Sequence, residues 1–113
     1  ASAILQAHGA TVVPLKVSGA FHSRQMRAAR ESYAEYLAQF RFAPPGRPVI
    51  ANATALPYDA DGIARVLAEQ VASPVRWADS VRYLLDRGTR DFIEIGGAVL
   101  GKMVAEARRA AGL

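Results

Sequence analysis

Cysteine is absent from the 113 residues. Disulfide frameworks, thiolate zinc sites and thiol nucleophiles are therefore all excluded. Lysine is scarce, with only Lys16 and Lys102, so the net charge of +4 is carried almost wholly by arginine. Those arginines are scattered rather than clustered and are not interleaved with aromatics, which argues against a nucleic-acid footprint. No apolar run approaches the roughly 18 residues that a membrane span requires. The opening Ala1-Ser2-Ala3-Ile4 lacks the basic region of a secretory signal, and the expectation is a soluble cytoplasmic protein. Also missing are an H-E-x-x-H pair and the serine elbow G-x-S-x-G: none of Ser2, Ser18, Ser23, Ser32, Ser73 or Ser80 has glycine at both i−2 and i+2.

What is present is globular in composition, about half hydrophobic and one-fifth charged. Ser2 to His8 suits a helix stopped by Gly9, and the β-branched segment Thr11 to Val17 suits a strand whose Pro14 places it at an edge or bulge. One helix and one strand bury little, so further polypeptide is expected upstream. From Arg24 to Phe40 the apolar residues Met26, Ala29, Tyr33, Tyr36, Leu37 and Phe40 recur every three or four positions, which predicts a long amphipathic helix ended by Pro44-Pro45-Gly46. Pro48 to Asn52 suits a strand buried on both faces. Asp59 or Asp61 can cap a helix with Ile63, Val66, Leu67 and Val71 inward. Ser73-Pro74 predicts a second helix start, with Trp77, Val81, Leu84 and Leu85 on one face and Gly88 as its stop. Asp91 to Ile95 suits another buried strand, and Gly96-Gly97 opens a final helix with Val99, Leu100, Met103 and Val104 inward. Alternating helices and strands imply an α/β layer structure with a mostly parallel sheet.

The segment Val17-Ser18-Gly19-Ala20-Phe21-His22-Ser23 joins a strand end to the long helix, where sites collect in α/β proteins. Ser23 can serve as N-cap, which sets His22 beside the positive end of a helix dipole and favours the neutral ring that a general base requires. A lone histidine at a helix entry can equally be a packing residue, and position does not decide between the two. His8, in the last turn of its helix, suits the dipole without any function. Gly96, Gly97 and Gly101 do not have the G-x-G-x-x-G spacing and are read as a tight turn. If His22 is a base, its nucleophile lies elsewhere.

Four blocks settle the reading: V-S-G-A-F-H-S (17–23), F-x-F-A-P-P-x-x-P-V-I-A-N-A-T-A (40–55), L-A-E-Q-V-A-S-P-V-R-W (67–77) and F-I-E-I-G-G-x-V-L (92–100). Together, in order, they resemble the malonyl-CoA:acyl carrier protein transacylases and the acyltransferase domains of polyketide synthases. The resemblance implies a hydrolase-like α/β large subdomain interrupted by a small ferredoxin-like one. Residues 1–18 would be the last helix and strand of the small subdomain and residues 19–113 the C-terminal part of the large one. It further implies transfer of malonyl from malonyl-CoA to the phosphopantetheine thiol of an acyl carrier protein through an acyl-serine, without a cofactor or metal. By the same resemblance His22 is the catalytic histidine, the backbone carbonyl of Gln70 orients it, and Phe21 excludes acyl groups branched at the α-carbon. The serine, the malonyl-binding arginine and the oxyanion-hole glutamine would lie in a missing N-terminal part, leaving this chain alone inactive. Gly19 and Gly97-Ala98 depart from the commonest family patterns. An acyl hydrolase of the same fold, or a non-catalytic module docking a carrier protein, are the alternatives.

Overall fold

The computed structural model describes residues 2–14, 16–97 and 99–112. Leu15, inside the expected first strand, and Ala98, in the expected glycine turn, lie outside the described residues. Among the described residues five α-helices form: α1 (Ser2–Ala7), α2 (Arg27–Leu37, preceded by a 3-10 turn at Arg24–Met26), α3 (Ile63–Glu69), α4 (Trp77–Asp86) and α5 (Leu100–Ala110).

The glycine stops of α1 and α4 follow the sequence, whereas the helix expected from Arg24 to Phe40 begins as a 3-10 turn and ends at Leu37, short of Pro44. In α4 the N–H of Thr89 bonds to the carbonyl of Leu84 (3.0 Å) and that of Gly88 to Leu85 (3.0 Å), with Gly88 at φ +86°. This pattern needs a left-handed residue just past the helix, which glycine adopts without steric cost. Gly9, at φ +80°, closes α1 in the same way through Ala10 to Leu5 and Gly9 to Gln6.

Helix starts depart from expectation. The N-cap of α3 is Gly62, whose N–H donates to the Asp59 carbonyl at 3.1 Å, so neither Asp59 nor Asp61 caps through its side chain. The start at Ser73-Pro74 moves to Trp77, because Arg76 is held outside the helix as N-cap. Its N–H donates to the Asn52 carbonyl at 2.9 Å and its guanidinium to Thr54 O and Asp79. These tertiary bonds outweigh the local serine-proline signal.

The three expected strands form no ladder among the described residues. The one bridge pairs Ile50 with Pro57 antiparallel, flanked by bonds from Tyr58 N to Val49 O and Ala51 N to Leu56 O, which makes residues 49–58 a short closed turn. Pro48–Asn52 is accordingly not buried on both faces: Ala51 is enclosed while Val49 is exposed. The segment 91–95 is the sharper correction, since Ile93 and Ile95 are 89% and 93% exposed. Backbone N–H and C=O groups form strands only with partner strands, and none is at hand among the described residues.

Burial is correspondingly thin. Val81 and Leu85 of α4 pack with Val104 of α5, joined by Trp77, Phe92 and Ala107. Helix α2 lies against α3, with Leu37, Ile63, Val66 and Ala68 buried and Arg30 paired to Glu69 at 3.0 Å. Tyr36 and Phe40, expected inward, are exposed and stack on each other at 5.0 Å. On α5, Val99, Leu100 and Met103 are exposed and only Val104 is buried. The accessible surface is 8854 Å², whereas a compact monomer of this mass exposes about 6,000 Å². The radius of gyration is 16.8 Å against about 13 Å for a compact chain of this length.

Candidate active site

Two of the residues singled out from sequence, His22 and Gln70, meet at the C-terminal end of α3. Gln70 is the C-cap of that helix, so its carbonyl belongs to the group left without partners inside a helix, and the Val71 carbonyl follows just past the cap. His22 uses both. Its backbone N–H donates to Val71 O at 3.0 Å, and its ring Nδ1 lies 2.9 Å from Gln70 O. A carbonyl oxygen can only accept, so Nδ1 carries a proton in that contact, and in the neutral ring Nε2 then presents its lone pair. Among the described residues no side chain bonds to Nε2. His22 is exposed rather than buried against the interior.

The residues around His22 explain how it reaches that carbonyl. Ser23 is extended (φ −136°, ψ 164°) and caps the 3-10 turn, its hydroxyl accepting from Gln25 N at 3.3 Å and donating to Ala20 O at 2.7 Å. One hydroxyl thus fixes the residues on both sides of the histidine. His22 itself adopts φ +59°, the left-handed region that costs an L-residue about 1–2 kcal/mol. The two bonds to Gln70 and Val71 hold it there. Phe21 is 53% exposed, and its ring would stand 3.7 Å from a Cβ at Gly19. A Cβ at position 19 would make ordinary van der Waals contact with that ring.

One participant escaped the sequence reading. Asn52 Nδ2 donates to the side-chain Oε1 of Gln70 at 3.2 Å, tying the residue behind His22 to the closed turn at 49–58. Asn52 stands inside a quoted motif block, yet nothing in its spacing from Gln70 signals a contact across 18 residues.

The glycine turn before α5 is no anion cradle. Glu94 fills it: Oε1 accepts from Val99 N (3.0 Å) and Leu100 N (3.1 Å), and Oε2 from Gly101 N (2.8 Å). These bonds, that from Gly101 first, lower the carboxyl pKa below its ordinary value. A Cβ on Gly97 would come within 2.9 Å of Glu94 Oε1, so a side chain there would displace the carboxylate. Among the described residues no group of three or more His, Cys, Asp or Glu could hold a metal. A cavity of about 440 Å³ between α4 and α5, lined by Trp77, Val81, Leu85, Met103 and Ala107, does not include His22.

No family model matches the chain. Individual relatives do. The chain is 54% identical over 89 residues to the polyketide biosynthesis protein ThaF of Burkholderia thailandensis, a match covering 78% of this chain and 8% of that protein. It is 50% identical over 92 residues to the polyketide biosynthesis malonyl CoA-acyl carrier protein transacylase BaeC of Bacillus velezensis, covering 80% of this chain and 32% of the relative. The crystal structure of a malonyl CoA-acyl carrier protein transacylase from Burkholderia pseudomallei superposes with a TM-score of 0.83 at 43% identity, over 95% of this chain and 40% of that one. The chain thus spans a third or less of these curated relatives, and its coarse fold is that of solved α/β transacylases. With such identity and such superposition along nearly its whole described length, the chain belongs to the malonyl-CoA:acyl carrier protein transacylase family.

Proposed function

We propose that this chain is the histidine-bearing part of a larger transacylase that moves malonyl from malonyl-CoA to the phosphopantetheine thiol of an acyl carrier protein. The observation that carries the reading is the 2.9 Å contact between His22 Nδ1 and the Gln70 carbonyl, which leaves Nε2 free as a base. Residues 1–18 belong to the small ferredoxin-like subdomain and 19–113 to the hydrolase-like large one, whose sheet takes in the segments around 48–52 and 91–95. The exposed Ile93 and Ile95, and a surface roughly 2,800 Å² larger than a compact chain presents, support a partner polypeptide covering that face.

In the proposed reaction a serine from the rest of the protein attacks the malonyl thioester carbonyl while Nε2 of His22 takes its hydroxyl proton. The carbon–sulfur bond breaks, and the same proton passes from Nε2 to the departing sulfur, releasing coenzyme A as its thiol. The carrier thiol then gives its proton to Nε2 and its sulfur attacks the acyl-serine. The serine oxygen leaves and recovers that proton. Throughout, the Gln70 carbonyl keeps the ring in one tautomer and accepts from Nδ1 when the imidazolium forms. A neutral orienter suffices because a thiol is a better leaving group than an amine, and no cofactor enters any step. Phe21, next in sequence to the base, stands beside the acyl α-carbon and excludes a methyl branch.

The test is malonyl loading of a carrier protein by the complete protein and by its His22→Ala variant. General acid–base catalysis contributes about 10²–10⁴-fold, and a loss of at least that order is expected. Undiminished transfer by the variant overturns the reading. Release of malonate to water with no loading identifies a hydrolase, and binding of carrier protein without either reaction identifies a docking module.

A further inference from the structure

The side chain of Gln70 has so far had no part to play, since the family resemblance calls only on its carbonyl. We infer that Asn52 is a positioning residue for His22, acting through the Gln70 side chain; the inference rests on the function proposed above. The contact path is short and continuous. His22 Nδ1 donates to Gln70 O at 2.9 Å, and Gln70 Oε1 accepts from Asn52 Nδ2 at 3.2 Å.

Two features make the second bond consequential. Gln70 ends a helix of only seven residues, and a last turn frays unless something beyond the helix holds it. Its carbonyl direction depends on the residue's own ψ, which the backbone bond from Gln70 N to Val66 O (3.1 Å) does not set and which only the long bond from Val71 N to Ala68 O (3.2 Å) restrains within α3's last turn. Anchoring the side chain adds to that restraint. Asn52, in turn, sits on a firm support: its carbonyl accepts from Arg76 N at 2.9 Å, and the turn that carries it is closed by Ala51 N to Leu56 O at 2.9 Å and Ala55 N to Ala51 O at 2.9 Å. Ala51 and Ala55, on the same turn as Asn52, are 1% and 5% exposed, so the turn is seated in the protein through its alanines while the asparagine side chain lies at the surface. Side-chain anchoring thus links α4's entry, the closed turn and α3's end to the tautomer and aim of the ring. A base misaimed by a fraction of an ångström loses rate rather than substrate affinity.

The experiment is a kinetic cycle on the complete transacylase with malonyl-CoA and carrier protein. Asn52→Ala and Gln70→Met, which keeps the length and the carbonyl of residue 70 but removes its amide, are each expected to lower kcat about 3- to 10-fold, the loss of one hydrogen bond of ordinary strength, with KM for malonyl-CoA changed less than about twofold. The double variant is expected to be no slower than the worse single one. Asn52→Ala leaving kcat within about twofold of the parent, or additive losses in the double variant, overturns the inference. A His22→Ala variant run alongside separates the two levels: if it remains active the proposed function fails, whereas if it is inactive and Asn52→Ala is not impaired, only the positioning role fails.

Discussion

Replacing His22 by glycine and by alanine should separate what the residue costs the fold from what it does in the reaction. At φ +59° both histidine and alanine carry a penalty of about 1–2 kcal/mol that glycine does not. Glycine instead gives up about 0.5–1 kcal/mol through the greater freedom of its unfolded chain. Both substitutions lose the Nδ1 bond to Gln70, which at an exposed position is worth about 0.5–1 kcal/mol. Alanine keeps the strain and loses the bond, so it should be less stable than the parent by that last amount. Glycine trades strain against entropy and bond and should come out near the parent, about 0.7 kcal/mol above alanine. In a protein of 150–250 residues this is roughly 2 °C in Tm. Thermal unfolding of the complete protein and of both variants, with malonyl loading measured on the same samples, gives the comparison. Both variants should be inactive while their stabilities differ in the stated order. An alanine variant as stable as the glycine variant would refute the left-handed backbone at this position.

Leu85→Ala, at a residue 3% exposed in the α4–α5 core, should destabilise by about 3 kcal/mol, read from urea unfolding; a change below about 1 kcal/mol would mean that this core is not packed as seen. Glu94→Gln should be less stable than the parent at neutral pH. Because three backbone N–H groups depress the Glu94 pKa from its ordinary 4.5, its stabilisation is present above that value and fades as pH falls through the lowered one. Melting curves of parent and variant should therefore converge under acid, and a gap unchanged between pH 7 and strong acid would contradict the role of charge. Phe21→Ser should raise the methylmalonyl-to-malonyl ratio of kcat/KM by about 10-fold or more, measured by competition; an unaltered ratio would place the ring away from the acyl group.

How far these features were legible varies with the physics behind them. Helix existence and the glycine stops at Gly9 and Gly88 were plain, because apolar periodicity and a left-handed C-terminal residue are local signals. Helix starts were not: Arg76 is drawn out of α4 by Asn52 and Thr54, which lie more than 20 residues away, and no local pattern encodes that. Strand segments were recognisable by composition, yet their pairing depends on partner backbones, and Ile93 and Ile95 stand in solvent among the described residues. His22 and Gln70 could be named through the family resemblance, and the structure brings them together at 2.9 Å. The strain at His22 and the part of Asn52 had no sequence signal, since both arise from where α3 ends in space.

The bond from His22 to Gln70 spans 48 positions of sequence, and this bears on when the imidazole is aimed. Closing so long a segment has an entropic cost that no local contact offsets, so the ring acquires its tautomer and aim only after α3 has docked on α2. A nascent or partly unfolded molecule therefore carries an unaimed histidine, and the role proposed for Nε2 requires the end of α3 to be in place.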